Sequence, residues 1–148
     1  MFKNIICFLL IVLLCKESFS QNMLTNIGIR IEGNEPSNIG LTLQRKIASH
    51  TNLEGIVHLS DNTFGFSGIY ERYHNITSNY TLDFYYGGGV TVFFYSNIDA
   101  GISGIAALRY KFKNIPVNIS VDWKPTFYII DAFIFRPRQI GLSLRYTL

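Results

Sequence analysis

Apolar and polar residues alternate along most of this chain, at the period of two expected of strands with one apolar face. Ile27, Ile29 and Ile31 alternate with Gly28, Arg30 and Glu32, and Ile39, Leu41 and Leu43 with Gly40, Thr42 and Gln44. Leu53, Val57 and Leu59 oppose Glu54 and His58, and Phe66 and Tyr70 oppose Ser67 and Glu71. A longer run sets Leu82, Phe84, Tyr86, Val90, Val92 and Phe94 against Thr81, Asp83, Tyr85 and Thr91. Leu108, Tyr110 and Phe112 then oppose Arg109 and Lys111. Val117, Ile119, Val121 and Trp123 oppose Asn118, Ser120, Asp122 and Lys124. Leu142, Leu144, Tyr146 and Leu148 close the series against Ser143, Arg145 and Thr147.

The pattern predicts eight strands. Turn-forming residues separate them at 33–38, 49–52, 61–63, 75–79, 96–99 and 113–116, and the longest, least regular connection falls at 131–138. Short links between neighbours and an even strand number predict an all-β, antiparallel, up-and-down β-barrel.

The first twenty residues break this pattern. Lys3 precedes an apolar run over 5–14, which is about half the ~20 residues a membrane helix needs. Ser18-Phe19-Ser20 has the small-x-small form of a cleavage site, so residues 1–20 read as a signal peptide and 21–148 as the mature domain, starting at Gln21. Lipidation at Cys15 is disfavoured because Leu14 is not small. Removal of the leader takes both cysteines, Cys7 and Cys15, and with them any disulfide framework. It also lowers Lys+Arg from 13 to 11 and Asp+Glu from 10 to 9, leaving a net charge of about +2 with no basic cluster. That balance argues against a nucleic-acid partner.

Alternation alone does not say which face looks into the barrel. The polar face carries Arg30, Lys46, Arg109, Lys111, Lys124 and Arg145 against Glu32, Glu54, Glu71, Asp83 and Asp122. Opposite signs on consecutive strands suit pairing inside a barrel. The apolar face carries Tyr70, Leu82, Phe84, Tyr86, Phe94, Tyr110, Phe112, Trp123, Phe127 and Tyr146. An eight-stranded barrel is only just wide enough for side chains to fill, so this many large rings would overpack it. The favoured reading is therefore a transmembrane barrel, with lipid outside and an interior charge network of Arg30, Glu32, Glu54, Glu71, Asp83, Arg109, Lys111, Asp122, Lys124 and Arg145.

The C-terminal stretch Gly141-Leu142-Ser143-Leu144-Arg145-Tyr146-Thr147-Leu148 resembles the last strand of outer-membrane barrels, the signal read by the barrel-insertion machinery. Gly141, Leu144, Tyr146 and Leu148 carry it, although the last residue in such strands is usually Phe or Trp. Together with residues 85–95 and 104–127, and above all Asp122-Trp123-Lys124-Pro125, the stretch resembles small eight-stranded outer-membrane barrel proteins of Bacteroidota. The resemblance implies fold, an outer-membrane location and the surrounding lipid and lipopolysaccharide as partners. It implies no reaction. It also implies an orientation, with both termini and the turns at 47–51, 75–79 and 113–116 in the periplasm and the loops at 33–38, 60–64, 96–101 and 129–138 outside.

Candidate chemistry is sparse. His50, His58 and His74 have no carboxylate or cysteine at metal-ligand spacing, so no metal or cofactor is expected. His58 with Ser60 or Ser67 near the outer rim is the one hint of a hydrolase, and nothing in the spacing fixes its geometry. Gly87-Gly88-Gly89 lacks the helix and Lys-Ser/Thr of a phosphate loop and reads as a bend or a site of close packing. Phe133, Phe135, Arg136 and Arg138 form a candidate surface-contact loop for lipopolysaccharide phosphates or a protein. The expectation is a monomeric, non-enzymatic barrel with a structural or surface-interaction role and no open channel. The alternatives are a secreted lipocalin-like binder with an apolar cup, and a lipid A-modifying membrane enzyme.

Overall fold

The computed structural model describes residues 24–33, 38–130 and 133–148. The expected signal peptide, the mature N-terminus at Gln21 and most of the 33–38 loop lie outside the described residues.

The described chain forms strands β1 (Thr25–Gly33), β2 (Asn38–Ala48), β3 (Thr51–Ser60), β4 (Thr63–Asn75) and β5 (Leu82–Phe94). It continues as β6 (Ile98–Lys111), β7 (Val117–Trp123), β8 (Thr126–Tyr128), β9 (Ile134–Arg136) and β10 (Ile140–Thr147). All neighbours pair antiparallel, β1 pairs with β10, and β5–β6 pairing closes the sheet. The ten segments make eight barrel strands. β8 prolongs β7 along β6 in one register, since Ala106 faces Trp123 and Ser103 faces Thr126. β9 likewise prolongs β10, after a shift of one residue between Ile140↔Trp123 and Thr126↔Arg136.

Proline explains that interruption. Pro125 has no N–H for the ladder, so the seventh strand is broken after Trp123, and the extra residue of the shift lies opposite it, between Arg136 and Ile140. The ladder is patched there by Gly104 N–H donating to Pro125 O at 2.9 Å and Lys124 N–H donating to Gln139 O at 2.8 Å. The last connection is also shorter than its composition suggests, because Ile134–Arg136 is a strand rather than loop. β6 starts at Ile98, ten residues before the alternation becomes visible at Leu108. Its first ten residues include Gly101, Ser103, Gly104, Ala106 and Ala107, which are too small to show an apolar period.

The two faces sort by chemistry. Outward positions are apolar and half exposed, as at Ile29 (50%), Leu41 (53%), Val121 (53%) and Trp123 (50%). Inward positions are mostly polar and charged, including Arg30, Glu54, Glu71, Asp83, Asp122 and Arg145. A lipocalin-like cup needs the reverse arrangement, so the fold overturns that alternative. The interior is not uniformly charged. Ile56, Ile69, Tyr73, Tyr85, Ile105 and Ala107 form an apolar cluster under β3–β6. Gly87 and Gly89 lie under it, where the backbones of β4 and β5 come so close that a Cβ would fall 1.9 Å from a carbonyl oxygen of β4.

Candidate functional site

The polar interior is the part of the molecule with enough chemistry to be a site, and it forms three tiers. In the tier farthest from the termini, Arg30 on β1 donates from Nη1 and Nη2 to Asp122 on β7, the second bond at 2.6 Å, and from Nε to Glu32 at 2.8 Å. Lys124 Nζ reaches the same Glu32 oxygen at 2.9 Å. His58 sits between Glu32 (Nδ1 to Oε2, 3.4 Å) and Ser67 (Nε2 to Oγ, 2.8 Å). A ladder of hydroxyls continues around the wall from Ser67 to Thr91, Ser103 and Thr126, with steps of 2.8, 2.7 and 2.9 Å. It ends on Gln139, whose Oε1 accepts from Thr126 at 2.9 Å.

In the middle tier Arg145 on β10 donates to Glu54 on β3, to Ser120 at 2.7 Å and to Thr42 at 3.3 Å. Tyr85 donates to Ser120 at 3.1 Å, which ties the apolar cluster to the charged wall. In the tier nearest the termini Arg109 holds Asp83 through Nε at 3.1 Å and Nη2 at 2.7 Å, and Lys111 reaches the same carboxylate at 2.7 Å. Gln44 accepts from Arg109 at 2.7 Å and donates to Glu71 at 2.6 Å. Every buried charge thus meets an opposite charge or a fixed amide, as a low-dielectric interior demands.

The structure therefore brings together the ten charged residues singled out from the sequence. It adds Thr42, Gln44, Tyr85, Ser67 and Thr91, which were on the polar face but carry no charge to draw notice, and Ser103 and Thr126, which lie where no alternation was visible. The insertion-signal residues divide. Leu144, Tyr146 and Leu148 point outward, whereas Gly141 faces the interior. Phe133, Phe135, Arg136 and Arg138 are all exposed. Phe127 stands beside Phe133 and Phe135, with ring centroids 6.2 and 6.4 Å apart. Arg136 lies over Tyr128, 5.6 Å from the ring centre, and Trp123 Nε1 anchors the segment by donating to Pro137 O at 2.5 Å.

Glu32, His58 and Ser67 stand in the order of a carboxylate, a base and a nucleophile. Two observations weigh against hydrolysis. All three are buried, and the space a substrate would need is taken by Phe93, whose ring centre is 5.1 Å from that of His58. Ser67 Oγ is also already engaged by Thr91. Ser60 has no part in this arrangement, since His58 bonds Ser67 instead. His50 and His74 lie elsewhere, against Tyr73 and Tyr86. Among the described residues no three His, Cys, Asp or Glu side chains are grouped to hold a metal.

No protein-family model and no curated protein matches this chain. Among solved structures it is similar to the N-terminal β-barrel domain of Pseudomonas aeruginosa OprF, with a TM-score of 0.63 and 12% sequence identity, over 84% of this chain and 97% of that domain. At that identity the likeness is one of fold: a closed, eight-stranded antiparallel barrel of the outer-membrane type, here with buried charged pairs.

Proposed function

We propose that this chain is an integral outer-membrane barrel protein with a structural or surface-interaction role, of the small kind found in Bacteroidota. One observation carries the reading: the barrel is apolar outside and charged inside. In water such a molecule would expose the side chains of Ile27, Ile29, Ile31, Leu41, Leu142 and Leu144 as one continuous patch. In a bilayer the same surface is solvated by lipid, and closure of the sheet pairs strand with strand and leaves no open edge in the hydrocarbon. The filled interior favours a closed barrel over an open channel.

Residues 1–20 act in this reading as a cleaved export signal, and 21–148 as the barrel. Gly141, Leu144, Tyr146 and Leu148 serve recognition by the insertion machinery. The outer end of the barrel, with Phe135 and Arg136 on β9 and Phe133 and Arg138 beside it, faces lipopolysaccharide. The protein works as a monomer and as no enzyme.

Cysteine labelling tests location and orientation together, because the mature chain has no cysteine of its own. In intact cells a membrane-impermeant maleimide should label Asn62→Cys, in the turn between β3 and β4. It should label Asn114→Cys, in the turn between β6 and β7, only after the outer membrane is breached. Labelling of Asn114→Cys alone in intact cells would reverse the orientation. Equal protection of both sites would remove the protein from the cell surface.

A further inference from the structure

Deeper in the barrel each buried charge has an opposite charge or a fixed amide against it, and the end nearest the termini is different. Where β1 begins and β10 ends, the barrel opens into a cavity of about 460 Å³. Four cations line it, Lys46, Arg109, Lys111 and Lys113, and no carboxylate does. Asp83 lies beneath and engages Arg109 and Lys111. Among the described residues Lys46 and Lys113 have no ion-pair partner. Two buried amide groups on the wall are also incomplete: Asn52 Nδ2 and Asn118 Oδ1 make no hydrogen bond. The Asn118 amide is oriented by its own Nδ2, which donates to Asn26 Oδ1 at 3.2 Å, so its oxygen is the free atom.

An uncompensated set of cations around a buried donor calls for an oxyanion. A free acceptor on the same wall calls for an oxyanion that still bears a proton. We propose that this vestibule binds a hydrogen-phosphate group carried by a small solute. Lys46 and Lys113 supply charge, Asn52 donates through Nδ2, and Asn118 accepts the phosphate O–H. The inference goes beyond the reading above and depends on neither the location nor the role given there. Phosphate could also come from lipid headgroups at the rim, where Arg72 points outward at the same end of the barrel.

The test is calorimetric titration of the full mature barrel, in a neutral maltoside detergent at constant ionic strength, with inorganic phosphate, with sulfate, and with vesicles of phosphatidylcholine containing or lacking phosphatidylglycerol. Saturable one-to-one binding of inorganic phosphate is expected, with sulfate at least tenfold weaker because it has no proton to give at neutral pH. Lys46→Gln and Asn52→Leu should each weaken phosphate binding at least tenfold. Arg72→Gln should leave it unchanged. Retained heat-modifiable mobility on gels verifies that each variant is folded, and Lys113→Gln, in an exposed turn, serves if Asn52→Leu is not. Absence of saturable binding, sulfate bound as tightly as phosphate, or affinity untouched by Lys46→Gln would overturn the site. Binding that is lost in Arg72→Gln and follows phosphatidylglycerol content would also overturn it, by assigning the phosphate to headgroups at the rim.

Discussion

Arg30 on β1 grips Asp122 on β7 although β10 runs between them. The guanidinium passes over Gly141, which pairs with Glu32 on one side and Asp122 on the other. A Cβ on Gly141 would fall 2.3 Å from Arg30 Nη2, so the absence of a side chain there is what lets the pair form. Both partners are fully buried, and neither can turn to water if the other is removed.

Arg30→Met should therefore strip Asp122 of its partner and cost about 3–5 kcal/mol, the usual penalty for orphaning one member of a buried pair. Arg30→Met combined with Asp122→Leu should recover much of that loss, because no buried charge is then left alone. The measurement is the urea midpoint of the barrel in lipid vesicles, followed by the fluorescence of Trp123, the only tryptophan in the chain. A single substitution that leaves the midpoint unchanged would mean that the interior is wet enough to screen the pair.

Glycines should differ sharply by face. Gly141→Ala would push into a guanidinium already locked by Asp122 and Glu32, and should cost about 1–3 kcal/mol. Gly68→Ala, on the outer face, meets nothing within 4 Å and should change stability by no more than about 0.5 kcal/mol. The same unfolding assay compares the two, and equal losses would contradict the role assigned to Gly141.

The outer face should resist charge according to depth. Ile29 is at the centre of β1, flanked by Leu41 and Leu144, and Ile29→Arg should cost about 2–4 kcal/mol in a bilayer. Tyr146→Arg, near the end of β10, should cost about 0–1 kcal/mol, since the side chain reaches the interface. If Ile29→Arg proved harmless, water rather than lipid would be the solvent of this face.

Much of this was legible in the sequence. Period-two alternation marked the strands and their two faces wherever large side chains occupied the outer positions, as in β1, β2 and β10. The number and size of the rings on the apolar face indicated which side was out. Other features carry no periodic signal. The start of β6 hides in glycine, serine and alanine, and the break in the seventh strand needed the pairing around Pro125 to be seen. Gly141 looked like part of a terminal signal, but its packing against Arg30 depends on a contact between distant strands. Likewise Thr42, Gln44, Ser67 and Thr91 stood on the polar face, whereas Ser103 and Thr126 lay outside the visible alternation, and only the closed barrel joins them into one network.

The buried Glu32–His58–Ser67 alignment leads to a different test. Ser67→Ala should lower stability by about 1–3 kcal/mol, by leaving the imidazole and Thr91 with one bond fewer inside the barrel. Lipid A mass spectra from a strain lacking the protein should match those of the parent. A lost acyl-chain modification would revive the hydrolase reading.

The central claim is that lipid, not water, covers the apolar outer wall. Cell fractionation followed by urea extraction and electrophoresis of unheated and boiled samples tests it most directly. The account predicts a protein that stays in the outer-membrane fraction through urea washing and runs faster unheated than boiled, as a closed barrel does. A protein recovered in the soluble fraction without detergent, with one mobility before and after boiling, would contradict it.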